Sequence, residues 1–170
     1  VAPCGSLTIC CISSDDVVLT ASYSLADADG LGAISYQWFR DGLAIGGATG
    51  TTYTLGDADV GSTTTVEASY LDGQGTNEAV TSAGVGPIAN INDAPVGVPT
   101  ITGTVTEDQI LMADTSGISD ADGLGAFSYQ WLRDGIAIGG ATGSTYTLDD
   151  ADVGTQISVQ VSYTDLQGNP

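Results

Sequence analysis

The chain has 170 residues and carries 21 Asp and Glu against two basic side chains, with no Lys and no His, for a net charge of −19. Such a surface repels phosphate backbones and anionic lipid, so nucleic acid and membrane surfaces are poor partners and cations are good ones. Without His or Lys there is no Ser-His-Asp triad, Schiff base or His-ligated zinc site, and no apolar run approaches the ~18 residues of a membrane span, so neither an enzyme nor membrane insertion is expected.

The first segment holds Cys4, Cys10 and Cys11. They read as incidental thiols or one local bridge, since a disulfide framework would recur further along the chain. The stretch "DADGLGAISYQWFRDGLAIGGATGTTYTLGDADVG" starts at Asp27, and a near copy starts at Asp120, 93 positions later. Leu25–Asn77 and Ile118–Pro170 agree at 36 of 53 positions, the level of a tandem array. Within each copy, "SYQWF" (35–39) or "SYQWL" (128–132) predicts a strand closed by an Arg-Asp-Gly turn, because Asp-Gly between apolar runs is a hairpin cue. A short run "LAI" or "IAI" follows, then the strand "TTYTL" or "STYTL" and the turn "DADVG". "TTTVEASY" (63–70) and "QISVQVSY" (156–163) alternate with the period of a half-buried strand. "NEAVTSAGVG" (77–86) predicts a last strand, and "ANINDAPVG" a linker.

About seven short strands per copy, with turn signals every 8–12 residues, predict an all-β chain of two tandem immunoglobulin-like β-sandwich domains. Their bounds are 1–91 and 92–170, with the second lacking its last strand. Trp38 and Trp131 are the expected core residues, each contributing roughly 4–6 kcal/mol if 150–250 Å² of ring is buried. With no initiator Met and an end in mid-repeat, the chain reads as a fragment of a longer protein.

The residues "YQWFRDG…TYTLGDADVGSTTTVEASY" resemble the immunoglobulin-like repeats strung along giant secreted bacterial surface proteins, among them calcium-dependent adhesins exported by type I secretion. Trp38, Trp131, Tyr70 and Tyr163 match that pattern, and "NINDAP" is similar to the calcium-binding linker of cadherin-type repeats. The resemblance implies a β-sandwich rod, an extracellular or cell-surface location, adhesion, and neighbouring repeats of the same chain as partners. It also implies an ion pair between Arg40 or Arg133 and an Asp of the following "DADVG" loop.

Acids cluster at Asp15-Asp16, Asp27 and Asp29 in the first copy and at Glu107-Asp108, Asp120 and Asp122 in the second. Calcium takes six to eight oxygens, which closely spaced loop carboxylates and backbone carbonyls supply, so Ca²⁺ is the expected cofactor. On the cadherin resemblance, Asn90, Asn92 and Asp93 of the linker combine at the junction with Glu107, Asp108, Asp120 and Asp122. The plain alternative is that these acids are solvated turn residues. An EF-hand loop is excluded, since Trp38 and Trp131 fall where its twelfth-position Glu belongs, and "GGATGSTYT" lacks the Asp of the nonapeptide β-roll.

The expected function is a non-enzymatic, calcium-stiffened stalk segment of a secreted or surface-anchored bacterial adhesin. The alternative is a filament or sheath subunit whose partners are copies of itself, with strand exchange filling the second sandwich's open edge. A carbohydrate-binding module would need exposed aromatics on one sheet face, whereas the Trp residues belong to the expected core.

Overall fold

The computed structural model describes residues 4–10 and 13–170; Cys11 lies outside them. The protein is all-β, a set of antiparallel sheets, and divides into two compact units, Val1–Ile91 and Asn92–Pro170. No helix among the described residues is long and apolar enough to cross a membrane.

Unit 1 packs two antiparallel sheets. One comprises β1 (Leu7–Cys10), β2 (Val18–Tyr23) and β5 (Thr52–Thr54), in the order β1-β2-β5. The other comprises β3 (Ser35–Arg40), β4 (Leu43–Ala44), β6 (Thr64–Leu71) and β7 (Asn77–Thr81), in the order β4-β3-β6-β7. In unit 2, β8 (Thr100–Gly103), β9 (Ile110–Asp114) and β12 (Thr145–Thr147) are ordered β8-β9-β12. Facing them, β10 (Ser128–Arg133), β11 (Ile136–Ala137) and β13 (Ile157–Ser162) are ordered β11-β10-β13. A single turn of 3-10 helix, Asp57–Asp59 or Asp150–Asp152, precedes β6 or β13.

The Asp-Gly hairpins form as the residue types require. Asp41 and Gly42 have φ of 47° and 79°, and Asp134 and Gly135 have 47° and 80°. Two successive positive φ values define a type I′ turn, whose twist matches that of the flanking strands. Strands β1, β2, β8 and β9 lie in the region where the copies diverge, and sequence periodicity did not mark them.

The core follows the period-two pattern. Along β6, Thr64, Val66, Ala68 and Tyr70 are buried and alternate with half-buried neighbours. Trp38 and Trp131 are fully buried. Each indole N–H donates to a backbone carbonyl, Gly50 or Gly143, at 2.9 Å, and each ring lies against a tyrosine, Tyr53 at 5.7 Å or Tyr146 at 5.6 Å between centroids. Neither Trp is available as an exposed ligand platform.

Thr64 is fully buried with its hydroxyl oxygen unpartnered, and Ile157 takes its place in unit 2. Replacing a desolvated, unbonded hydroxyl by an isosteric methyl removes a penalty without opening a cavity, so Thr64→Val is expected to stabilise unit 1 by ~1 kcal/mol. Urea denaturation, read as a higher midpoint at unchanged slope, checks it.

Candidate metal sites

The candidate acids of each unit fall into two groups, at opposite ends of the long strand β6 or β13. In unit 1, Asp15 and Asp16 sit at the Thr64 end. Asp16 N–H donates to Leu55 O at 3.2 Å just before the 3-10 turn, and Asp15 N–H donates to Ala89 O at 3.0 Å. Asp27 sits at the Tyr70 end, where Tyr70 donates its hydroxyl to Asp27 Oδ2 at 2.9 Å. Six residues of strand separate the two ends by roughly 20 Å.

At the Thr64 end the two aspartates of the 3-10 turn face different partners. Asp59 is buried and accepts from Arg40 Nε at 2.6 Å, the Tyr53 hydroxyl at 2.9 Å and Gly56 N–H at 3.1 Å. Asp57 instead places a carboxylate oxygen within 4.8 Å of one on Asp15. Asp15 is fully buried; its Oδ1 accepts from Ile91 N–H at 2.6 Å, while its Oδ2 is buried without a partner. Asn90, between the two residues that bond Asp15, also carries a buried, unpartnered side-chain oxygen. A buried, unbonded carboxylate oxygen costs several kcal/mol unless it is protonated or meets a cation.

At the other end of unit 1, Asp27, Asp72 and Glu78 hold carboxylate oxygens within 4.8 Å of one another. Asp72 Oδ1 also accepts from Gln74 and Thr76 N–H at 2.8 and 2.7 Å, which folds the "DGQG" turn around it. Asp29 places its carbonyl against this turn, accepting from Gly73 N–H at 2.9 Å. A Cβ on Gly73 would come within 2.2 Å of that oxygen, so glycine is required. Carboxylates gathered this closely can hold a metal ion.

Unit 2 repeats the arrangement with different partners. Asp120, Asp122 and Asp93 converge: Asp93 N–H donates to Asp122 Oδ2 at 2.6 Å, Asp122 N–H donates to Asp120 Oδ1 at 3.0 Å, and Tyr163 donates its hydroxyl to Asp120. Asn92 lines the same recess as Asp93 and Asp120. Asp122 is buried, with Oδ1 unpartnered. Glu107 and Asp108 do not join this group. Glu107 hydrogen-bonds Asp150 of the 3-10 turn, which holds its carboxyl above the usual range, and Asp108 N–H donates to Leu148 O at 3.1 Å. Of the expected single set, Asn90 belongs to unit 1, and the unit 2 members Asn92, Asp93, Glu107, Asp108, Asp120 and Asp122 are divided, because β13 places its two ends roughly 20 Å apart.

The anticipated Arg–Asp pair is present in both units and is buried on the acid side. Arg133 Nε meets Asp152 at 2.6 Å and its Nη2 meets Asp149 at 3.1 Å. Burial opposes ionisation of Asp152, but the Arg133, Asp149 N–H and Tyr146 hydrogen bonds outweigh it and hold the carboxyl below the usual range. Cys4 and Cys10 are exposed and join neither acidic group.

These shifts predict stability losses at both extremes of pH. Asp72 is held low by Thr76 N–H, against burial, and then by Gln74 N–H. Asp165 is held low by Asn169 and Gln167 N–H, which overcome burial. A carboxyl depressed in the folded state contributes stability that is present above its unfolded value, about 3.9, and lost as pH falls through the folded value. Tyr70 is pushed up to about 12 by burial and then by Asp27, and Tyr163 to about 12 by its bond to Asp120 and then by burial. Their contribution is complete below the unfolded value, about 10, and is lost as pH rises toward the folded one. Ultraviolet titration of tyrosinate should show late-ionising groups, Tyr70 and Tyr163 among them, and Asp27→Asn should bring Tyr70 back toward 10.

Asp57, Asp72, Glu78 and Asp150 were not named from the sequence as members of these groups. The signal was present, since "DADVG" and the Asp of "LDGQG" and "TDLQG" recur in both copies, but it reads equally as turn chemistry. No family model matches the chain, and no curated protein matches it.

Proposed function

We propose that the chain is a non-enzymatic structural repeat segment of a secreted or surface-anchored bacterial adhesin, stiffened by Ca²⁺ bound at the acidic ends of its repeats. The observation that carries the reading is Asp15: a fully buried carboxylate with one oxygen unpartnered and a second carboxylate, Asp57, beside it. Asp122, with its own buried orphan oxygen, gives unit 2 an equivalent demand for positive charge. The only basic side chains, Arg40 and Arg133, are committed to Asp59 and Asp152, so the chain has none to offer Asp15 or Asp122. A hard cation with oxygen ligands fits this donor set, and flexible loop carboxylates suit Ca²⁺ better than the strict octahedron of Mg²⁺. Similar repeats, each folding as a compact unit of its own, suit a protein that gains length by stacking. The bacterial and adhesive parts of the reading come from the sequence resemblance.

Thermal unfolding in millimolar calcium, in EGTA and in magnesium at matched ionic strength tests it. Calcium at about 100 times its dissociation constant should add ~2.7 kcal/mol, a rise of roughly 10–20 °C for a unit of this size. Asp15→Asn should melt higher than the parent in EGTA, because a buried charge is removed, and gain less from calcium. Equal stabilisation by magnesium or plain salt would reduce the acids to a screened surface.

A further inference from the structure

We propose that Cys4 and Cys10 are a site of covalent self-association: the β1 strands of two copies run antiparallel, edge to edge about Leu7, and Cys4 of each copy forms a disulfide with Cys10 of the other. The proposal does not depend on calcium, and it rests on the proposed extracellular setting only for an oxidising medium.

The pairing of this segment fixes where its groups point. Cys4 opposes Ala26, Leu7 opposes Tyr23 and Cys10 opposes Thr20, so residues 4–10 keep one continuous register along β2. Six residues of strand hold Cys4 and Cys10 roughly 20 Å apart, too far to bridge each other within one chain. Both are exposed, and both lie at even positions, on the face opposite the buried Leu7 side chain. Cys4 and Ala26 exchange backbone bonds at 2.9 and 2.8 Å, and Ser24 N–H donates to Ser6 O at 2.9 Å. The backbone groups of the even residues therefore turn toward β2, and those of Gly5, Leu7 and Ile9 turn away from it.

Among the described residues β1 is the outer strand of its sheet. Its counterpart β8 is the outer strand of the equivalent sheet with the residues before it in place, so this position does not depend on what precedes β1. Strands β1, β2 and β5 contain no charged residue, in a chain of net charge −19. Two copies can meet along this edge without setting carboxylate against carboxylate, and the edge carries none of the charges that ordinarily block such pairing.

Two-fold symmetry about Leu7 then sets Leu7 against Leu7, Gly5 against Ile9 and Cys4 against Cys10. The outward backbone groups of the odd residues make the bonds, which leaves each Cys4–Cys10 pair non-hydrogen-bonded. Cα atoms of such pairs stand about 4.5 Å apart, within the roughly 4.4–6.8 Å that a disulfide spans. For each bridge, one Cys thiolate attacks a small disulfide oxidant such as oxidised glutathione and releases one glutathione; the opposing Cys displaces the second. Two thiols become one disulfide, and the oxidant takes up their two protons and two electrons.

The test is incubation of the full 170-residue chain with oxidised glutathione, in EGTA and moderate salt, followed by thiol blocking and non-reducing electrophoresis. A species of twice the monomer mass is expected, reverting in dithiothreitol. Cleavage of the denatured dimer after Leu7 should release a Cys4 peptide linked to a Cys10 peptide, and the Leu7 and Ile9 amides should exchange more slowly in the folded dimer. Cys11→Ser should dimerise like the parent. In that background Cys4→Ser and Cys10→Ser should each lose the dimer, while a mixture of the two should recover it through a single bridge. No dimer from a chain with a native circular dichroism spectrum, a dimer kept by either variant alone, or a mixture that recovers nothing would overturn the proposal. A Cys4–Cys4 link in the parent dimer would overturn it too. The EGTA separates this result from the fate of calcium binding.

Discussion

Trp131→Ala should unfold unit 2 while leaving unit 1 standing. The indole is fully buried, stacks on Tyr146 and ties the Gly143 carbonyl to the core. Truncating a buried Trp to Ala removes ~3–5 kcal/mol through lost transfer energy and the cavity left behind. Unit 2 has little reserve: its buried apolar cluster is Leu111, Ala113, Trp131 and Leu148, against ten residues in unit 1. A unit of this size is stable by only about 4–12 kcal/mol, so the loss takes most of its margin and lowers its melting point by roughly 12–40 °C. Scanning calorimetry should resolve two transitions in the parent chain, with unit 2 melting first. In the variant that transition should vanish or move far down, while the near-ultraviolet signal of Trp38 persists to the upper one. A single transition moved as a whole would mean that the units do not unfold independently.

Arg40→Met should cost unit 1 a comparable ~3–5 kcal/mol, far more than the 0–1 kcal/mol of an exposed pair. The reason is the asymmetry of the pair: the Arg40 side chain is 33% exposed, but that of Asp59 is 1% exposed. Removing the guanidinium leaves a buried carboxylate with only the Tyr53 hydroxyl and Gly56 N–H. A second change, Asp59→Asn, should restore part of the loss in the Arg40→Met background while destabilising the parent. Urea denaturation of the four proteins gives the coupling energy directly. A coupling near zero would show that Arg40 acts by packing its stem and not by its charge.

The β-sandwich was legible because strand periodicity, Asp-Gly turns and a buried tryptophan are local signals that agree with one another. Strands β1, β2, β8 and β9 were less so, since the two copies diverge there and give no template for each other. Among the acids, clustering pointed to Asp15, Asp27, Asp93, Asp120 and Asp122, and each lies at a unit end. Their grouping was not legible. Whether Glu107 meets Asp120 or Asp150 depends on which end of β13 each loop reaches, and that follows from strand pairing rather than spacing. The division of labour inside "DADVG" was hidden for the same reason: the 3-10 turn sends Asp59 inward to Arg40 and Asp57 toward Asp15, two residues apart and chemically identical in the sequence.

The central claim is that buried, unpartnered carboxylates at the unit ends bind calcium, and isothermal calorimetry of the full chain titrated with calcium measures this most directly. The account predicts saturable binding that excess magnesium does not abolish, with a site weakened or lost in Asp15→Asn and in Asp122→Asn. No binding heat at any temperature tried, or an isotherm unchanged by both substitutions, would contradict it.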